Sequence, residues 1–156
     1  MYKTFIKWFE NDELTIFLSE VPHVCVRYPI PSMTDEEIED IKKKPFINKN
    51  ELYVALFDHV KKQTYKFTIP KEYKYDGATI PRFFWRIIGS NTDNTFLIPA
   101  LVHDAICENH HYINCDRAFS TKVFDALLFA GGVNVVKRFL MKHSVDLFQR
   151  TQGWAQ

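Results

Sequence analysis

The sequence predicts an α+β fold, a small antiparallel sheet from the N-terminal half packed against three C-terminal helices. Short aromatic and β-branched runs, separated by turn signals, fill most of residues 2–69. Apolar residues at helical spacing dominate residues 99–148. Strands precede helices instead of alternating with them, which argues against a parallel α/β sheet. A chain of 156 residues predicts one domain, 1–156, with strands and a surface helix over 1–50 and the remaining core over 51–148.

Tyr2 to Phe9 reads as the first strand, and Leu14 to Leu18 as the second, after the Asn11-Asp12-Glu13 turn signal. Val24 to Tyr28 is a third. Thr34-Asp-Glu-Glu37 has the capping-box form and opens a helix with Lys42 to Lys44 at its end and Pro45 as its stop. Glu51 to Val60 and Thr64 to Ile69 form a hairpin around Lys61-Lys62-Gln63, and Pro70 ends the second strand. Asp76-Gly77 is a turn. Pro81 suits the start of a helix through Ile88 that ends at Gly89 and keeps Phe83, Phe84 and Trp85 in the core; Ser90 to Thr95 is a polar loop. Pro99 starts a helix through His103 and Cys107 to about His110. Asp116 caps a helix over Arg117 to Ala130, broken by Gly131-Gly132. Val133 to Phe148 is the last helix, with Val136, Phe139, Leu140 and Leu147 as its apolar stripe and a loose polar tail from Gln149.

A formal net charge of +1 gives no electrostatic case for nucleic acid, and the Lys42–Lys44 and Lys61-Lys62 runs read as solvated faces. Aromatic residues at 15% imply either an aromatic core or rings at a protein interface. Met1 to Phe9 lacks the apolar core of a signal peptide, and no stretch approaches the ~18 apolar residues of a membrane span. Cys25, Cys107 and Cys115 are an odd set, read as free or metal-bound thiols of a reducing cytoplasm.

Two stretches suggest chemistry. Leu101-Val-His-Asp-Ala-Ile-Cys107 sets an imidazole beside a carboxylate in apolar sequence, where polar groups need partners or a purpose. Asp76-Gly-Ala-Thr-Ile-Pro-Arg82 is a tight turn ending in a cation. The functional reading brings Asp76, Thr79, Arg82 and His103 into one polar pocket, where His103 is the base and Asp76 or Asp104 orients it or binds a metal. The bland reading has His103 bracing the Asp76 turn or a backbone carbonyl, and Asp104 paired with Arg82. His103 and Asp104 are consecutive, so on a helix they diverge by about 100°. His103, Cys107 and His111 recur every four residues, a spacing that suits zinc on one helical face. A Cys107 nucleophile activated by His103 lacks any marked oxyanion hole.

Thr68-Ile-Pro70, Asp76 to Arg82, Leu101-Val-His-Asp104, Gly132-Val133 and Met141 to Phe148 together resemble a phage and prophage family, domain of unknown function 1353. Its members read V-P-x-G-F-x-T-D-x-A-S-I-P-R, then H-D-x-x-Y, then A-D-x-x-F-x-x-A-L. The resemblance spans roughly Leu52 to Phe148. Cys107 stands where the family has tyrosine, and Thr121 where it has the Asp of A-D-x-x-F; Asp125 or Asp116 are the nearest replacements. The resemblance implies a phage or prophage origin. The expected protein is a virion- or tail-associated accessory protein, made in the host cytoplasm, with other phage structural proteins as partners. Its His-Asp pocket is expected to be a hydrolase site, active or vestigial, and calcium or zinc are the cofactors considered. Competing readings are a purely structural tail or capsid component, a phospholipase A2-like or cell-envelope hydrolase, and a host-directed inhibitor. A dry, hydrogen-bonded His103 with an exposed aromatic patch would favour the structural component, and an open cleft at His103 the enzyme.

Overall fold

A computed structural model describes residues 4–77 and 94–150, apart from the side chains of Asn94 and Phe148. The strands are β1 (Ile6–Glu10), β2 (Leu14–Leu18), β3 (Val24–Val26), β4 (Phe46–Asn48), β5 (Leu52–Asp58), β6 (Gln63–Ile69) and β7 (Tyr73–Tyr75). The helices are α1 (Asp35–Lys43), α2 (Asn94–Ile113), α3 (Arg117–Ala130) and α4 (Val135–Phe148). The α+β prediction holds: antiparallel strands occupy the first half, and three helices follow.

The strands divide into a four-stranded sheet, β1-β2-β5-β6, and a three-stranded sheet, β3-β4-β7. Turn chemistry sets the larger one. Asn11 Oδ1 accepts from the N–H groups of Glu13 and Leu14 (2.8 and 2.7 Å), which closes the β1–β2 hairpin. Asp58 Oδ1 accepts from Val60 and Lys61, which closes β5–β6. Strand alternation then points Leu14, Ile16 and Leu18 of β2 and Leu52, Val54 and Leu56 of β5 to one face, all buried. That face meets Leu101, Ala105 and Ile106 of α2 and Phe119, Val123 and Leu127 of α3 in one core. A second cluster, Phe96, Phe124, Leu128, Val133, Met141 and Val145, joins α2, α3 and α4.

Local signals place several ends well. Thr34 and Glu37 form the expected capping box of α1. Asp116 caps α3, its Oδ1 accepting from Phe119 N–H at 2.7 Å. Four expectations need correction. Helix α2 begins at Asn94, so Thr95 is helical and Pro99 lies inside the helix; its missing N–H costs a single hydrogen bond, to the Thr95 carbonyl. Helix α4 starts at Val135, because Asn134 caps it, its Oδ1 accepting from Lys137 N–H at 2.9 Å. Its stripe is largely reversed: Val136, Phe139 and Leu147 are exposed and Leu140 is half-buried, while Met141 and Val145 face the core. The tail is not loose at its first residue, since Gln149 is buried. The expected helix Pro81 to Ile88, with Phe83, Phe84 and Trp85, lies outside the described residues. No described helix is long and apolar enough to cross a membrane.

Candidate functional site

Strand β7 and helix α2 meet along a polar seam that contains two of the three predicted catalytic residues. Tyr73 Oη donates to Glu108 Oε2 at 2.6 Å, and Tyr75 Oη donates to the Leu97 carbonyl at 3.0 Å. Past the end of β7, Gly77 N–H donates to Asp104 Oδ2 at 3.1 Å. The carboxyl groups of Asp76 and Asp104 are themselves hydrogen-bonded. Asp104 and Glu108 stand four residues apart, so one face of α2 supplies both acceptors.

The turn that delivers Asp76 is strained toward glycine. Gly77 has φ +63°, and a Cβ there would lie 2.8 Å from Cε2 of Phe46. The Phe46 ring packs at 5.5 Å from that of Tyr75, so the close approach of turn and β4 is built into the core.

Asp104 is buried, and its carboxyl is held well above the usual carboxylate range. Burial is the main cause, followed by the charge of Asp76. The arrangement is a buried carboxyl that resists ionisation, beside a second one and anchored to a backbone N–H.

His103 points elsewhere, as consecutive helical positions require. Its ring is fully buried, lies 5.0 Å from the ring of Phe124, and has Gln149 Nε2 at 3.1 Å from Nε2. Cys107 Sγ is 3.8 Å away. Burial pulls the imidazole down to about 3, against a smaller opposing effect of the Gln149 hydrogen bond. The ring is therefore neutral near pH 7. Gln149 also bonds Cys107 Sγ, while Gln149 Oε1 is buried without a hydrogen-bond partner.

The expected pocket is therefore not assembled as drawn from the sequence. Asp104, and not His103, holds the Asp76 turn, while His103 faces α3 and the end of α4. Thr79 and Arg82 lie outside the described residues. The zinc set His103, Cys107 and His111 does not come together: His111 is exposed and its ring lies tilted against that of His110 at 4.0 Å, beyond the irregular backbone at Asn109. Among the described residues, no group of three or more His, Cys, Asp or Glu is placed to hold a metal ion. Burial and the charge of Asp104 push the Cys107 thiol up, opposite to what a nucleophile needs.

The family described as "Protein of unknown function (DUF1353)" matches residues 54–145. The chain belongs to this DUF1353 family. It is also similar to "Uncharacterized protein y4jT" of Sinorhizobium fredii (strain NBRC 101917 / NGR234), with 40% identity over 43 residues. That stretch is 28% of this chain and 13% of the relative, so the likeness covers a small part of a longer protein. No solved structure matches the chain.

The DUF1353 positions that depart from the expected pattern can now be placed. Thr121 is buried, and its hydroxyl donates to the Arg117 carbonyl of its own helix at 3.2 Å. Neither replacement carboxylate is directed at His103. Asp125 faces Arg138 at 3.4 Å, and Asp116 caps α3 and pairs with Lys61 at 2.6 Å. Phe124 supplies the ring against His103, while Cys107, at the family's tyrosine position, borders it. Sequence reasoning missed Tyr73, Glu108 and Gln149. The Asp104–Glu108 spacing was a readable signal, whereas Gln149 reaches His103 across 46 positions and has none.

Proposed function

We propose that this DUF1353 chain is a phage- or prophage-encoded accessory protein that acts by assembling with other phage structural proteins, and that His103 braces its fold. The observation that carries this reading is the state of His103: fully buried, neutral, and bonded to Gln149, with no carboxylate beside it among the described residues. A general base must reach the proton it removes and be oriented for it. The phage setting rests on the family resemblance. A half-buried aromatic surface also supports assembly. The outer face of the four-stranded sheet holds a groove of about 470 Å³ lined by Phe5, Phe17, Tyr53, Phe57 and Phe67. In this reading the protein is made in the host cytoplasm and carried into the virion.

The test is complementation of a deletion in the phage or prophage that carries the gene, using a His103→Gln variant shown to fold. Particle yield equal to wild type supports the assembly role. Loss of yield with a folded variant overturns it.

One observation favours a second reading, a cell-envelope or lipid-ester hydrolase acting through carboxyls alone. The buried Asp104 carboxyl, raised above its usual range and hydrogen-bonded to Asp76, is suited to act as a proton donor in carboxyl acid–base catalysis. Turnover of an envelope ester or glycan that is abolished by Asp104→Asn, in a protein that stays folded, would establish it.

A further inference from the structure

Helix α4 is apolar on two opposite faces. Met141 and Val145 enter the core. At 100° per residue, the opposite side carries Val136, Phe139, His143 and Leu147 in one ridge. Val136, Phe139 and Leu147 are 60–66% exposed. His143 lies on the Phe139 ring at 4.2 Å, which makes the ridge continuous.

The charges around this ridge are mainly positive, and its one carboxylate, Asp146, is paired with Arg117 and Arg150. Residues 135–150 contain Lys137, Arg138, Lys142 and Arg150 against Asp146 alone, in a chain whose net charge is +1. The segment thus carries an excess of positive charge, four cations against one carboxylate. Arg138, Arg150 and Asp146 are used in ion pairs, while Lys137 and Lys142 enter none among the described residues. On the helical wheel these two lysines flank the ridge at roughly 110° on either side.

We propose that the outer face of α4 docks on an anionic lipid surface, with Val136, Phe139 and Leu147 in the acyl boundary and Lys137 and Lys142 at the headgroups. A helix with an apolar face and flanking cations lies in the plane of such an interface. Long lysine stems reach back to the phosphates while the ridge is immersed. A second copy of the chain fits less well. A ridge one helix wide and about 18 Å long offers a few hundred Å², short of the roughly 800 Å² per partner of a stable dimer. A lipid surface yields to a convex ridge and sets no such minimum.

The test is sedimentation of the full chain with phosphatidylcholine vesicles, with and without phosphatidylglycerol. The expected result is binding that requires phosphatidylglycerol and weakens with salt. Lys137→Gln and Lys142→Gln should each weaken it roughly fivefold. Val136→Gln with Phe139→Gln should abolish it at unchanged melting temperature, because both side chains are exposed. Absence of phosphatidylglycerol-dependent binding in wild type overturns the proposal. So does undiminished binding by the folded ridge variant, or ridge-dependent dimerisation in its place.

Discussion

Asp104 on α2 and Asp76 beyond the end of β7 share a hydrogen bond between carboxyl groups, and Gly77 N–H donates to Asp104 as well. A raised carboxyl in the folded state keeps its proton above the usual value of 3.8. The folded state then binds more protons than the unfolded chain, so stability falls as pH rises above about 4. Asp104→Asn keeps an acceptor for Gly77 and removes the charge. The variant is expected to lack this downward slope and to gain on wild type as pH rises above about 4. Denaturant midpoints across that range check it, and parallel curves for the two proteins would count against it.

His103 gives the opposite slope. Its folded value, about 3, lies below the unfolded value near 6.5. Its contribution is therefore complete above about pH 6.5 and is lost as pH falls toward 3, by up to about 1.4 kcal/mol per pH unit. His103→Gln is expected to flatten the acid limb of the stability curve. His103→Ala should also cost about 2–4 kcal/mol at pH 7, from the cavity and the stranded Gln149 amide. Urea unfolding of the three proteins at pH 4 and pH 7 separates the two effects.

Gly77→Ala is expected to destabilise by about 1–3 kcal/mol, since φ is positive and the new Cβ meets Phe46. Phe46→Leu in the same chain relieves the contact but leaves the backbone strain. The double variant should then recover only part of the loss relative to Phe46→Leu alone. Full recovery in a thermal double-mutant cycle would assign the whole cost to the ring.

The three thiols should differ in reactivity. Cys25 is exposed, whereas burial pushes Cys107 up and Cys115 to about 12. Alkylation of the native protein at pH 8, read by peptide mass spectrometry, is expected to modify Cys25 well before the other two. Early labelling of Cys107 would show that the seal around His103 opens in solution.

What the sequence revealed depended on how local the signal was. The ends of α3 follow from Asp116 and Gly131-Gly132, and β2 from the turn at Asn11, because each is written within a few residues. Strands β4 and β7 have three residues each and exist only through pairing with one another and with β3, so no window of sequence displays them. In α4 the period was correct and the direction was not. Two apolar faces share the same helical spacing, and only packing decides that Met141 goes inward and Phe139 outward. At the site, His103, Asp104 and Asp76 stood out as polar groups in apolar or turn contexts. Their grouping followed helix geometry, which sends His103 to Gln149 and Asp104 to Asp76.

The matched family segment, residues 54–145, leaves out β1, β2 and Gln149. A polypeptide trimmed to those limits would lack Leu14, Ile16 and Leu18 from the core and strand the His103 ring. It would also expose the long flank of β5 that β2 covers through five paired positions. An uncovered apolar flank of that length recruits other chains. The expected fate of the trimmed polypeptide is aggregation, and soluble production of the family segment calls for residues on both sides of it.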